Sequence, residues 1–226
     1  QPAHGACTMI RRDALIAVGS YSQEFRCQDG FEIWLKIIQR YSVTNINEPL
    51  FYYRQHDSNL TQSKEKLLST RHEIVKKHVV SKEIISKNHV CIVPVRGLER
   101  EPLALRKIGG LTLLDRTLNS ILKSENTKSL LVSTPDERIL EHLGNITDER
   151  IKLVFDKRPE NLAYLNSPLE QTVDYLLNHY SDTIGVPDTI SIANIEFPFR
   201  PSMFLDQAIN TLFLFEVDSV SYTHLT

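Results

Sequence analysis

The stretch from Asn88 to Leu118 constrains this chain more than any other. It reads Asn88-His89-Val90-Cys91-Ile92-Val93-Pro94-Val95-Arg96-Gly97-Leu98-Glu99-Arg100-Glu101-Pro102, and continues through Lys107-Ile108-Gly109-Gly110 into Leu113-Leu114-Asp115-Arg116-Thr117-Leu118. A short apolar run of this kind predicts a buried strand. It leads into a basic, glycine-bearing loop and then into an amphipathic helix. Strand, loop and helix in that order build a nucleotide-phosphate site. A domain that starts near His89 also leaves the preceding residues to something else.

Beyond residue 90, apolar strands alternate with helical segments. The pattern predicts strands at 90–95, 130–133, 151–155, 189–193 and 218–220, and helices at 112–122, 136–143, 168–180 and 202–215. A βαβα order argues a mostly parallel sheet covered on both faces. Ligands of such folds bind beyond the carboxyl ends of the strands, so the loops there are where chemistry is expected.

The first 61 residues read differently. A short helix at 11–18 is closed by Gly19, and a polar loop leads to a second helix at 29–41. Phe31, Trp34, Leu35 and Ile38 form its apolar stripe, with Trp34 expected in the core. Asp29 stands at its start, where a carboxylate faces free backbone N–H groups. Residues 43–46 and 50–53 read as strands. Residues 62–88 are lysine-rich and lack Gly and Pro, which predicts a linking helix with a break near Val80-Ser81.

The chain has 226 residues and a formal net charge of −2, so no global field favours nucleic acid or an anionic membrane. Cys7, Cys27 and Cys91 are odd in number and widely spaced, which fits reduced thiols in the cytoplasm better than a disulfide framework or a zinc site. No apolar run is long enough to span a bilayer. Both ends read as cut. The tail Val220-Ser221-Tyr222-Thr223-His224-Leu225 is also what GTC-TCT-TAT-ACA-CAT-CT encodes, a transposase adapter, so residues 220–226 are expected to be non-native. A native strand ending in a polar turn is the other reading at Val220.

Several segments of the second half, in order, resemble the cytidylyltransferases that make CMP-activated acidic sugars, the acylneuraminate cytidylyltransferase family. They are Pro94-Val95-Arg96-Gly97, Gly109-Gly110-Leu111-Thr112-Leu113-Leu114, Val132-Ser133-Thr134-Pro135-Asp136-Glu137-Arg138-Ile139, Arg158-Pro159-Glu160-Asn161-Leu162-Ala163 and Pro198-Phe199-Arg200. The resemblance implies a Rossmann-like nucleotidyltransferase sheet, with CTP and a sugar acid as substrates and Mg²⁺ or Mn²⁺ at the phosphates. It implies substrate contacts from Arg96, Gly97, Arg100, Lys107, Arg158 and Arg200. The basic loop is shorter than the family's and has no clean match to its Lys-Asn pair. Ile195-Glu196-Phe197 stands where the family keeps Pro-Thr-Ser.

The first half carries its own ordered set. His4-Gly5-Ala6-Cys7-Thr8-Met9-Ile10-Arg11-Arg12, Gly19-Ser20-Tyr21, Gln28-Asp29-Gly30-Phe31-Glu32-Ile33-Trp34-Leu35-Lys36 and Tyr52-Tyr53-Arg54-Gln55-His56 resemble the carboxyl-terminal part of family 2 glycosyltransferases. That implies the end of an A-type glycosyltransferase fold. By the resemblance Asp29 is the base that takes the acceptor's proton, His56 reaches the metal that holds the donor diphosphate, and Gly5 lets the backbone approach the acceptor. Gln28 replaces the family's usual Glu.

Together the resemblances imply a fragment of a bifunctional transferase of surface-glycan synthesis. Residues 1–61 would be the glycosyltransferase end, 62–88 a helical linker, and 89–220 an incomplete cytidylyltransferase-like domain. Its partners would be a nucleotide-sugar donor, a glycan acceptor, CTP and a sugar acid, and no nucleic acid. A lipid-linked acceptor would bring it to a membrane surface, and the second domain could oligomerise. The isolated fragment is expected to be inactive. The alternative is a glycosyltransferase whose second domain is a degenerate nucleotide-binding or scaffolding module.

Overall fold

The computed structural model describes residues 8–25, 27–46, 48–49, 52, 64–79, 87–97, 100–164, 166–201 and 203–221. The chain divides into two compact units, residues 1–78 and 79–226.

In the first unit, α1 (Arg12–Ala17) is followed by Gly19 and Ser20, both at positive φ, and Ser20 N–H donates back to Leu15 O at 2.9 Å. The glycine expected to close the helix does so by taking the left-handed conformation. α2 (Asp29–Ile38) buries Glu32, Ile33, Leu35 and Ile37. Of the apolar stripe, only Leu35 is fully buried, while Phe31, Trp34 and Ile38 are half-buried. Trp34 is therefore not a core residue; its ring stacks on Phe31 with centroids 6.2 Å apart. α3 (Lys64–Val79) buries Ile74, Val75 and Val79. It is tied to α2 by Arg71, which donates from Nε to Gln28 Oε1 at 2.8 Å and lies 5.0 Å from the Phe31 ring centre.

Residues 43–46 form no strand and are exposed. Alternation alone cannot make a strand; its backbone groups need a neighbour, and none pairs with them among the described residues. The expected strand at 50–53 lies mostly outside the described residues, as does the helix break at Val80-Ser81.

The second unit is α/β. Its strands β1 (His89–Pro94), β4 (Thr127–Thr134), β5 (Lys152–Lys157) and β6 (Thr189–Ile192) form one sheet in the order β5-β4-β1-β6. Every neighbouring pair is parallel. A two-residue hairpin, β2 (Lys107–Ile108) and β3 (Leu111–Thr112), sits between β1 and α4 (Leu113–Leu122). Gly109 and Gly110 turn it with φ of +57° and +87°, a region where a side chain would be strained. The remaining helices are α5 (Glu137–Leu143), α6 (Leu169–His179), α7 (Ser181–Ile184) and α8 (Phe204–Phe215). Residues 218–220 form no strand.

Successive residues of a strand point to opposite faces, and both faces of β1 are covered. Cys91, Val93 and Val95 join Leu114, Leu118 and Ile121 of α4 and Ile139 and Leu143 of α5. Val90 and Ile92 join Leu176 of α6 and Ile184 of α7. Each of these side chains contributes about 2 kcal/mol by leaving water. Such burial needs both layers, which is why the strand is a continuous apolar run and not an alternating one.

Candidate functional site at the carboxyl edge of the sheet

The chain runs from β1 outward to β4 and β5, then returns to place β6 on the other side of β1. The order therefore reverses between β1 and β6. In open parallel sheets the loops diverge at such a point, and ligands bind beyond the carboxyl ends of the strands. Arg96 and Gly97 follow β1, Asp136 follows β4, Arg158 follows β5, and Glu196 and Arg200 follow β6.

Gly97 is fixed by close approach. A Cβ there would lie 2.3 Å from Asp136 Cβ and 3.1 Å from Thr134 Oγ1. The backbone after β1 is thus pressed against the β4–α5 turn, where no side chain fits. Asp136 holds that turn. It accepts from Arg138 N–H at 3.0 Å and, through both carboxylate oxygens, from the Arg138 guanidinium at 2.9 and 2.6 Å. The Arg138 side-chain bond, then the backbone bond, hold its carboxyl below the usual range. Arg138 also donates to the Arg100 carbonyl at 3.1 Å, so it links the basic loop to α5.

Arg158 is buried. Its Nε donates to Ser133 Oγ at 3.2 Å and its Nη2 to Ser133 O at 2.7 Å. Burial lowers its pKa; Asp156 opposes that shift and the neighbouring Arg96 adds to it. The two guanidinium groups carry like charge near enough to bear on one another, with Arg96 exposed after β1 and Arg158 buried after β5. Among the described residues, no carboxylate forms an ion pair with either. An anion near this edge would be attracted to both.

Behind Arg158 lies Asp156, 2% exposed. Its Oδ2 accepts from Ser133 Oγ at 2.7 Å, and its Oδ1 accepts from Tyr180 at 2.9 Å and Tyr175 at 3.3 Å. Burial first, and the carboxylate next, push both tyrosine hydroxyls up from their ordinary pKa.

Arg200 stands in the loop after β6, the edge strand opposite β5. It donates to Asn194 O within its own loop, and its Nη1 is buried without a hydrogen-bond partner among the described residues. Burial lowers its pKa, while Cys91 and Glu196 raise it. The side chains of Arg100 and Lys107 are exposed, Lys107 in the β2–β3 hairpin. Of the expected substrate residues, Arg96, Gly97 and Arg158 come together around one edge. Asp156, Ser133, Tyr175 and Tyr180 had no signal in any local motif except Ser133, which the Val132-Ser133-Thr134 match included.

Neither Asp136 nor Asp156 fits a protein-held Mg²⁺ or Mn²⁺. Asp136 is forked by Arg138, and Asp156 is filled by three hydroxyls. Hard divalent ions need several free oxygen ligands. Among the described residues, no cluster of three or more His, Cys, Asp or Glu side chains is placed to hold a metal.

In the first unit, Asp29 is the first residue of α2, and the capping position is Gln28, at φ 63°. No side chain caps this helix, and the Asp29 side chain is exposed. Glu32, one turn on, is buried, pairs with Lys36 at 3.1 Å, and keeps Oε2 without a partner among the described residues. Gly5 and His56 lie outside the described residues. Cys27 and Cys91 are free thiols, and burial pushes the Cys91 thiol up to about 11. No helix among the described residues is long and apolar enough to cross a membrane. No family model matches the chain, and no curated protein matches it.

Proposed function

We propose that the second unit holds the phosphates of a nucleoside triphosphate and, in the intact protein, activates an acidic sugar with CTP. What supports this is the like-charged pair Arg96 and Arg158, in the loops that follow β1 and β5, with Gly97 next to Arg96. In the reaction the sugar hydroxyl oxygen bonds to the α-phosphorus. The bond to the bridging oxygen breaks, and pyrophosphate leaves with the electron pair; the hydroxyl proton passes to solvent. Negative charge grows on the leaving pyrophosphate, and fixed guanidinium groups stabilise it without reorganising. The exposed Arg100 and Lys107 add charge at the mouth, and Arg200 meets the nucleotide or the sugar acid.

The test is pyrophosphate release from CTP by the intact protein with a panel of sugar acids. An Arg96→Gln change should weaken CTP binding by roughly thirtyfold, the equivalent of about 2 kcal/mol for one charged hydrogen bond. CTP binding that ignores both Arg96 and Arg158 would remove the proposal.

The first unit is assigned to glycosyl transfer, as the end of an A-type glycosyltransferase with a nucleotide-sugar donor and a glycan acceptor. Asp29 is its base. An exposed carboxylate at a helix start, not consumed by capping, can take the proton of an acceptor hydroxyl. Transfer that survives Asp29→Asn in intact protein would refute this.

A second reading leaves transfer to the first unit alone, with the second unit a nucleotide-holding scaffold. Arg200 favours it, because its guanidinium bonds back to its own loop and Glu196 stands beside it. CTP binding without pyrophosphate release for any acid would select this reading.

A further inference from the structure

Resting on the phosphate site proposed above, we infer that Asp156, with Tyr175 and Tyr180, is a positioning device that aims Arg158 at the ligand. Asp156 is buried, and no hydrogen bond or ion pair joins it to Arg158 directly. It acts through Ser133.

The connectivity has a direction. Tyr180 and Tyr175 each donate their hydroxyl hydrogen to Asp156 Oδ1, at 2.9 and 3.3 Å. Ser133 donates to Oδ2 at 2.7 Å. Since the serine hydrogen is spent on Asp156, the Ser133 oxygen can only accept, and it accepts from Arg158 Nε at 3.2 Å. A serine hydroxyl has one hydrogen, so the carboxylate decides which way it points. Arg158 Nη2 is fixed separately by Ser133 O at 2.7 Å. One edge of the guanidinium is therefore locked to one residue, and the group cannot rotate about its own axis.

The arrangement also keeps Arg158 charged and unpaired. A direct Asp156–Arg158 ion pair would be the simple way to bury both groups, and it would cancel the charge a phosphate needs. Ser133, fully buried, stands between them instead. Asp156 is close enough to support the cation and is not in contact with it. The two tyrosines fill the remaining acceptor sites of the carboxylate. A core that needed only polar satisfaction would not require four side chains converging from β4, β5 and α6 and from the α6–α7 junction. Precise aim of a cation does require it.

The two simple roles for Asp156 predict opposite signs. If it acts only through charge, Asp156→Asn removes a negative group behind the site and tightens anion binding. If it positions Arg158, the same isosteric change frees the Ser133 hydrogen, lets Arg158 swing, and weakens binding.

The experiment is calorimetric titration of the 226-residue chain with inorganic tripolyphosphate at neutral pH, with thermal melting of each variant as a folding check. Asp156→Asn and Tyr180→Phe are each expected to weaken tripolyphosphate about threefold to tenfold, with Arg158→Gln weakening it more. The Tyr180→Phe, Arg158→Gln double variant should bind no more weakly than Arg158→Gln alone, because the tyrosine acts only through that arginine. That coupling is a readout a merely structural tyrosine would not give. Tyr180→Phe keeps the ring and serves if Asp156→Asn fails to fold. Wild-type binding that Arg158→Gln reduces, but that Asp156→Asn or Tyr180→Phe leaves unchanged or tightens, overturns this inference alone. No tripolyphosphate binding by the wild-type chain overturns the inference together with the phosphate site beneath it.

Discussion

The two ends of the parallel sheet treat their charged groups differently. At the amino end, the buried His89 and Asp206 side chains, among the described residues, find hydrogen-bonding partners. His89, buried at the start of β1, meets Thr189 Oγ1 at 2.7 Å and Ser191 Oγ at 3.1 Å. Asp206 of α8 accepts from Ser124 Oγ at 2.6 Å, Glu125 N–H at 3.0 Å and Asn126 N–H at 3.1 Å. At the carboxyl end, exposed Arg96 and buried Arg158 carry like charge with no carboxylate ion-paired to either among the described residues, and Arg200 keeps a buried nitrogen unpartnered among them. Satisfied burial holds a fold together; charge left unmatched is, on the proposed function, kept for a ligand. Changes at the amino end should cost stability and leave anion binding intact, and changes at the carboxyl end should do the reverse.

Asp206→Ala breaks this contrast hardest. It leaves a hydroxyl and two backbone N–H groups of the 124–126 turn without their acceptor, at a cost of about 4 kcal/mol. Urea unfolding should show that loss, while tripolyphosphate affinity of the folded fraction stays within twofold. A large affinity change with little loss of stability would mean that the two ends are not separate in their roles.

The pH dependence of stability sharpens the same comparison. Burial lowers the His89 pKa from 6.5 to about 4, with Asp206 opposing. The folded value is below the unfolded one, so the unfolded chain binds the proton more readily between them. Stability associated with neutral His89 is full above about pH 6.5 and falls as pH drops toward 4. At 1.36 kcal/mol per unit, the loss is about 3 kcal/mol across that window. His89→Asn should be less stable at pH 7 and should show a flatter slope between pH 6.5 and 4. An unchanged slope would place the acid sensitivity in another group.

Gly97→Ala tests the carboxyl end by shape alone. A Cβ 2.3 Å from Asp136 Cβ cannot be accommodated without moving the loop or the turn. The expected cost is about 2 kcal/mol, with anion binding weakened beyond what the folding loss explains, since Arg96 is the next residue. Binding that is preserved in the folded protein would show that the loop's position does not set the site.

Much of this contrast was open to reading in the residues, and part was not. Continuous apolar runs separated by helical periods placed β1, β4, β5 and β6 and all four long helices of the second unit to within a few residues. Those signals are local, and burial on both faces amplifies them. The basic loop and its glycine were visible as a candidate phosphate site for the same reason. The partners that orient Arg158 were not visible, because Tyr175 and Tyr180 meet Asp156 across 19 and 24 residues. Asp206, which governs the opposite end, reaches the 124–126 turn across about 80 residues of chain. The strands expected at 43–46 and 218–220 show the converse error. β-branched runs there promised extended structure, and no neighbouring strand pairs with them among the described residues.

The smallest effect belongs to a pair that sits on α4 and α5 and serves neither extreme. Asp115 completes a capping box with Thr112, whose Oγ1 accepts from Asp115 N–H at 2.9 Å, and it accepts from His142 Nε2 at 2.7 Å. The hydrogen bonds from Thr112 and His142 outweigh burial, so its carboxyl titrates below the usual range. The folded value lies below the unfolded one, so its stabilisation is present above the ordinary carboxylate pKa and is lost as pH falls through the lowered value. Half-exposed geometry keeps this to about 1 kcal/mol for Asp115→Asn. Substituting His142 instead, as His142→Gln, retains a donor to Asp115 and should cost less still. If Asp115→Asn costs as much as Asp206→Ala, capping and surface pairing have been underrated relative to buried satisfaction, and the distinction between the sheet's two ends loses its basis in burial.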